Sequence, residues 1–226
     1  MKKIMFAGAA CLFFITASAQ RINKIIISNG GGPAVISYLV DDVITLNISM
    51  DGKIIDYGLE NNTGRGYPLR LEKYMGRVEY YDSNENVSIK GKIKYLGRTS
   101  FTYFSSTENE AFKGKIKTMN TIPFDYYAAY ENEALRGRIK SAGQETFSFY
   151  SSYDNEAYKG KLKSVGNSVI TYYASFDDKA FRGKVKTIDR FPYTYYSSYD
   201  NRDYQGSMKS GYPIQFINGI NYYIRY

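Results

Sequence analysis

Six glycines, Gly91, Gly114, Gly137, Gly160, Gly183 and Gly206, each stand 23 residues from the next. So regular a recurrence, without insertions, limits the chain to a tandem array whose units bury their apolar faces by stacking on one another. Val78, Phe101, Phe124, Phe147, Ile170 and Tyr193 serve as unit starts. Each unit approximates apolar-x-Tyr-Tyr-x-Ser-Tyr, an acidic turn, then apolar-Lys-Gly-Lys-Ile-Lys, with Phe147 to Val169 the clearest copy.

Within a unit the period is two, the spacing of strands rather than of helices. Phe147, Phe149, Ser151 and Tyr153 form one face of the first half, and Tyr158, Gly160 and Leu162 alternate with Lys159, Lys161 and Lys163 in the second. Asp154-Asn155-Glu156-Ala157 lies between the halves; Asp and Asn satisfy nearby backbone groups, so this stretch reads as a turn. Pairing Tyr153 with Tyr158 sets Ser151 opposite Gly160, Phe149 opposite Leu162 and Phe147 opposite Ser164, with Tyr150 and Lys161 on the other face. A second turn, Val165 to Val169, lets Ser164 pair with Ile170, and both turns then agree on one register.

The expected fold class is all-β: a long antiparallel β-meander of six 23-residue hairpin repeats over 78–211, with at least twelve strands, coiled or partly closed. Its inner row of Tyr103, Ile116, Tyr126, Ile139, Phe149, Leu162, Tyr172 and Val185 needs cover, from curling, from an N-terminal cap or from a second protomer. Small residues such as Ser151, Gly160, Ala174 and Gly183 would line a shallow trough on that face. Residues 20–77, where Ile44, Leu46 and Ile48 alternate up to the turn signal Asp51-Gly52, are read as a β-rich N-terminal cap. Residues 212–226 are read as a closing strand or two. Gly30-Gly31-Gly32-Pro33 lacks the Gly-Lys-Ser/Thr ending of a phosphate loop and reads as a plain connection.

Met1-Lys2-Lys3, the apolar run Ile4 to Ile15 and Thr16-Ala17-Ser18-Ala19 carry the three parts of a secretory signal peptide over 1–19. Cleavage would remove Cys11, the single cysteine, and leave a basic mature chain; the whole chain has a net charge of +8. Histidine is absent, which removes the commonest general base and metal ligand from consideration. The expected location is therefore outside the cytoplasm: periplasm, cell surface or extracellular space of a Gram-negative-type bacterium.

The Tyr158-Lys159-Gly160-Lys161-Leu162 stretch and the 23-residue period resemble the MORN class of β-hairpin repeats over 78–211, although the later Gly-x-Gly and tryptophan of that pattern are absent. The resemblance implies a similar architecture and a scaffold, lipid-contacting or protein-contacting role.

Acidic groups recur at the turns, as in Glu131-Asn132-Glu133 and Asp154-Asn155-Glu156. One pair per unit reads as architecture, neither a calcium loop nor a glycosidase pair, so no catalytic residue, metal or cofactor is expected. The best functional candidate is a basic face with interleaved rings: Lys115, Tyr127, Arg138, Tyr150, Lys161, Tyr173, Arg182, Lys184 and Tyr196. Such a face suits an anionic glycan, a lipid surface or another envelope protein, with nucleic acid not expected and self-association through the sheet edge or apolar face as a further option. The reading is an exported, non-catalytic structural or binding scaffold. The alternatives are a small outer-membrane β-barrel, disfavoured by short strands, and a secreted hydrolase, for which no unit supplies unique polar residues.

Overall fold

The computed structural model describes residues 21–60 and 71–225; the expected signal peptide, 1–19, and Tyr226 lie outside the described residues. Twenty strands and no helix occur among the described residues, as the period-two pattern requires. The chain begins with β1 (Ile22–Ser28), β2 (Val35–Val40), β3 (Ile44–Ser49), β4 (Ile54–Glu60) and β5 (Leu71–Glu72). In β3 the alternating Ile44, Leu46 and Ile48 are buried, and Gly52 takes a φ of +75° in the turn that leads to β4.

An antiparallel sheet of eleven strands in chain order follows. Its members are β6 (Val78–Tyr80), β7 (Ile93–Leu96), β8 (Thr99–Tyr103), β9 (Ile116–Met119), β10 (Ile122–Tyr126) and β11 (Ile139–Ala142), then β12 (Glu145–Phe149), β13 (Leu162–Val165), β14 (Ser168–Tyr172), β15 (Val185–Ile188) and β16 (Phe191–Pro192). Beyond it β17 (Thr194–Tyr195) pairs with β18 (Met208–Ser210). The last strands, β19 (Ile214–Ile217) and β20 (Ile220–Arg225), return to the first sheet, where β20 lies parallel to β1. That sheet runs β19-β20-β1-β2-β3-β4-β5, so the first and last described strands share one layer.

This layer covers the meander. Ile25, Ile36, Leu46, Ile48, Tyr222 and Ile224 join Ile116, Ile139, Leu162, Ile170 and Val185 in one buried cluster. Tyr38 packs against Phe124 with ring centroids 6.1 Å apart. Polar ties fix the layers in register: Ile139 N–H donates to the Met50 carbonyl at 2.8 Å, and Asn29 accepts from Val185 N–H at 3.1 Å while donating to the Tyr195 hydroxyl at 3.0 Å. Among the described residues neither sheet closes on itself.

Three details of the expected hairpin are corrected. Phe149 does face Leu162, but Ser148 pairs with Ser164 and Phe147 with Val165, so Lys163 is an extra residue in a β-bulge. The bulge brings both Leu162 and Val165 to the core although they are three apart. Second, the connection after Val165 is the two-residue turn Gly166-Asn167, with Val165 opposite Ser168 and Ser164 opposite Val169 rather than Ile170. Its first residue needs a positive φ, supplied by Gly97, Asn120, Gly143, Gly166 and Asp189 in successive turns. Third, Tyr153 and Tyr158 are not strand partners; the strands stop near Phe149, and residues 150–161 form a long loop.

Candidate binding surface

All the long loops, 81–92, 104–115, 127–138, 150–161, 173–184 and 196–207, leave the meander on one rim, because the tight turns occupy the other. The predicted site residues lie in these loops rather than on an outward strand face, which corrects their expected placement. Tyr127, Tyr150, Tyr173 and Tyr196 open four successive loops, Lys115, Arg138, Lys161 and Lys184 close four, and Arg182 precedes the loop glycine Gly183.

The base of each loop is closed by backbone bonds: Tyr150 N–H donates to the Lys161 carbonyl at 2.9 Å, and Gly160 N–H to the Tyr150 carbonyl at 2.7 Å. The second bond needs the left-handed conformation at Gly160, with a φ of +73°. The small-residue column is thus the loop base, not a trough across strands. Most of the opening tyrosines tie their loop to the next unit. Hydroxyls of Tyr81, Tyr127, Tyr150 and Tyr173 donate to the carbonyls of Phe101, Phe147, Ile170 and Tyr193 at 2.8 to 3.0 Å.

The closing cations are likewise engaged internally. The ammonium groups of Lys115, Lys161 and Lys184 donate to the carbonyls of Gly137, Gly183 and Gly206 and lie over the rings of Tyr126, Tyr172 and Tyr195 at 5.2 to 5.3 Å. Arg138 donates to the Ala134 carbonyl at 2.7 Å. Burial pushes the Lys115 ammonium down to about 8 and lowers Lys161 and Lys184 in the same direction. Of the predicted cations only Arg182 is exposed.

A second set of lysines is outward. Lys94, Lys117, Lys140, Lys163, Lys186 and Lys209 are the bulge residues of six successive hairpins, all exposed. Each ammonium stands 5.3 to 5.5 Å over the ring that opens the preceding loop, Tyr81, Phe104, Tyr127, Tyr150, Tyr173 or Tyr196. Lys117 and Lys140 pair with Glu108 and Glu131 at 2.9 and 3.7 Å. Among the described residues Lys163, Lys186 and Lys209 form no ion pair. Sequence alternation could not single them out, since a bulge looks like an ordinary outward strand position until its partner strand is seen.

The recurring acids are held by the loops. Asp154 accepts from Ser151 N–H at 2.6 Å and from its hydroxyl at 2.8 Å, and these bonds hold its carboxyl below the usual range. The middle of the loop is tied across units as well: Asn155 accepts from Ser175 N–H at 2.9 Å and donates to the Ser175 hydroxyl at 3.0 Å. Among the described residues no group of three or more acidic, histidine or cysteine side chains is placed to hold a metal. The residues between these ties, Tyr130, Tyr153, Phe176 and Tyr199, are 88, 94, 86 and 94 % exposed. The expectation that Tyr153 faces the core is overturned.

Compared with known protein families, curated proteins and solved structures, the chain matches none.

Proposed function

We propose that this is an exported, non-catalytic repeat scaffold of six 23-residue hairpin units with a β-rich N-terminal cap, similar in plan to MORN arrays, which binds an anionic glycan of the cell envelope through its basic rim. The observation that carries this reading is the column of bulge lysines, each exposed and held over an aromatic ring. Each unit advances by two strands of about 4.8 Å, so the cations recur about every 10 Å along the meander. A fixed array of like charges engages a polyanion at several points together, where a single exposed lysine would bind little. The rings beneath orient the ammonium groups and add a cation–π contribution to holding them in place.

The test is binding to dextran sulfate as salt is raised, with Lys163→Glu, Lys186→Glu and Lys209→Glu combined. The expected result is submillimolar binding that weakens at least about tenfold as ionic strength approaches 1 M, where the Debye length is about 3 Å, and that the triple variant loses. Affinity indifferent to both salt and charge reversal would overturn the reading. Lys161 and Lys184 are unsuitable targets because their substitution removes bonds that join the units. Export is checked separately by recovering the protein outside the cytoplasm with Gln20 at its N-terminus.

A further inference from the structure

The four exposed rings Tyr130, Tyr153, Phe176 and Tyr199 stand 23 residues apart, at the outer turns of four successive long loops. None is used by the basic column, whose aromatic partners open the loops. A single solvated ring needs no explanation, but four at one structural position make a row. Nor are the rings on loosely held tips. The residue before each of the last three is tied to the preceding unit: Ser152 N–H donates to Asn132 at 3.0 Å, Ser175 N–H to Asn155 at 2.9 Å and Ser198 N–H to Asp178 at 3.0 Å. Ser151 and Ser197 also accept from the ring residues' own N–H groups at 3.3 Å. Ring spacing is thereby set by the strand ladder, about 10 Å per unit.

We infer that this row is a binding platform for an extended, neutral, β-linked glycan, with successive rings stacking on sugars one disaccharide step apart. Aromatic faces carry negative potential and attract the polarised C–H groups on the flat side of a pyranose. Between rings, the loop amides, hydroxyls and charged groups offer partners for sugar hydroxyls, so apolar and polar contacts alternate along the row as they do along such a glycan. Charges in these loops are mixed, with Glu133 and Arg136 exposed in one, Glu156 and Lys159 in the next, Lys179 and Arg182 beside the half-buried Asp177 and Asp178 in the third, and Arg202 and Asp203 in the fourth. That balance favours a neutral polymer here, in contrast to the bulge column. A protein interface would centre on contiguous apolar contacts, whereas these rings are separated by polar rungs. A bilayer would have to accommodate Glu133, Glu156 and Asp203, which are exposed in the same loops. Because the tips are fixed before binding, little ordering entropy opposes association.

The experiment measures retardation of the full chain in native gels containing hydroxyethylcellulose, soluble xylan or glycol chitin, beside dextran sulfate and phosphatidylcholine vesicles. The intact protein is expected to be retarded by at least one of the three neutral β-glycans, with little change between low and high salt. Tyr153→Ala with Phe176→Ala should weaken that binding at least tenfold and leave dextran sulfate binding intact. The triple lysine reversal should do the opposite, which separates failure of this proposal from failure of the basic-rim reading. Tyr153→Phe with Tyr199→Phe should retain the binding, since stacking needs the ring and not the hydroxyl. Retardation by none of the three glycans, equal binding by the alanine variant, or vesicle binding lost with the same rings would overturn the proposal.

Discussion

Gly183 and Gly91 occupy the same position of two loops, with φ of +75° and +71°, yet their surroundings differ. A Cβ on Gly183 would lie 2.7 Å from the Ala157 carbonyl oxygen and 3.1 Å from the Lys161 ammonium of the preceding unit, whereas on Gly91 it would meet nothing within 4 Å. Both replacements force an L-residue into the left-handed region, at about 1–2 kcal/mol. Gly183→Ala must also push apart two units, which adds about 1–3 kcal/mol in the manner of an overpacked core. Urea unfolding is therefore expected to find Gly91→Ala mildly destabilised and Gly183→Ala markedly more so. Equal losses would mean that the glycines serve only backbone conformation and not the close stacking of units.

The tyrosine that opens each loop is the rung between neighbouring hairpins, and one natural exception makes its contribution measurable. Phe104 stands where Tyr81, Tyr127, Tyr150 and Tyr173 send a hydroxyl to a carbonyl of the next unit. Tyr150→Phe should lower stability by about 1 kcal/mol, a drop of about 2–4 °C in Tm for a chain of this size, and Phe104→Tyr should raise it by a similar amount by reaching the Phe124 carbonyl. Thermal melts of the two variants and of their combination test this; a Phe104→Tyr variant no more stable than its parent would show that the rung contributes nothing. Such contacts also mark what sequence could and could not reveal. The facing of Phe149 and Leu162 and the burial of the row from Ile116 to Val185 follow from periodicity, because burial imposes it. The bulge at Lys163 does not, since an inserted residue leaves the apolar pattern readable in either register until Val165 is seen to be inside. Tyr153 misleads for a related reason: a ring in phase with a strand looks like core, and only the early end of that strand at Phe149 turns it outward. The proposed basic site was legible as a composition, not as individual residues, because Lys161 and Lys163, two positions apart, have the same chemistry and opposite surroundings.

At the level of the whole molecule the two sheets enclose a layer of tyrosines whose ionisation the fold must suppress. Burial raises Tyr193 and Tyr222 to about 12 and pushes Tyr38, Tyr103, Tyr126 and Tyr172 upward as well. In the unfolded chain these phenols lose their protons near 10. Above that pH the unfolded state therefore binds fewer protons than the folded one, and stability falls as pH rises. Lys115 acts in the opposite sense over a lower window. Its folded value of about 8 lies below the usual 10.5, so between them the unfolded state holds the extra proton and stability rises with pH. The balance predicts a stability that climbs modestly from pH 8 to about 10, a small rise because Lys115 is only half-buried, and then drops. Lys115→Met should reduce the rise, of which Lys161 and Lys184, lowered in the same direction, supply the remainder, and leave the drop. Alkaline titration followed by tyrosinate absorbance and circular dichroism should show the last group of tyrosines ionising only as the β signal is lost. Smooth ionisation of all 25 tyrosines with the β signal intact would mean that the terminal sheet does not seal the meander.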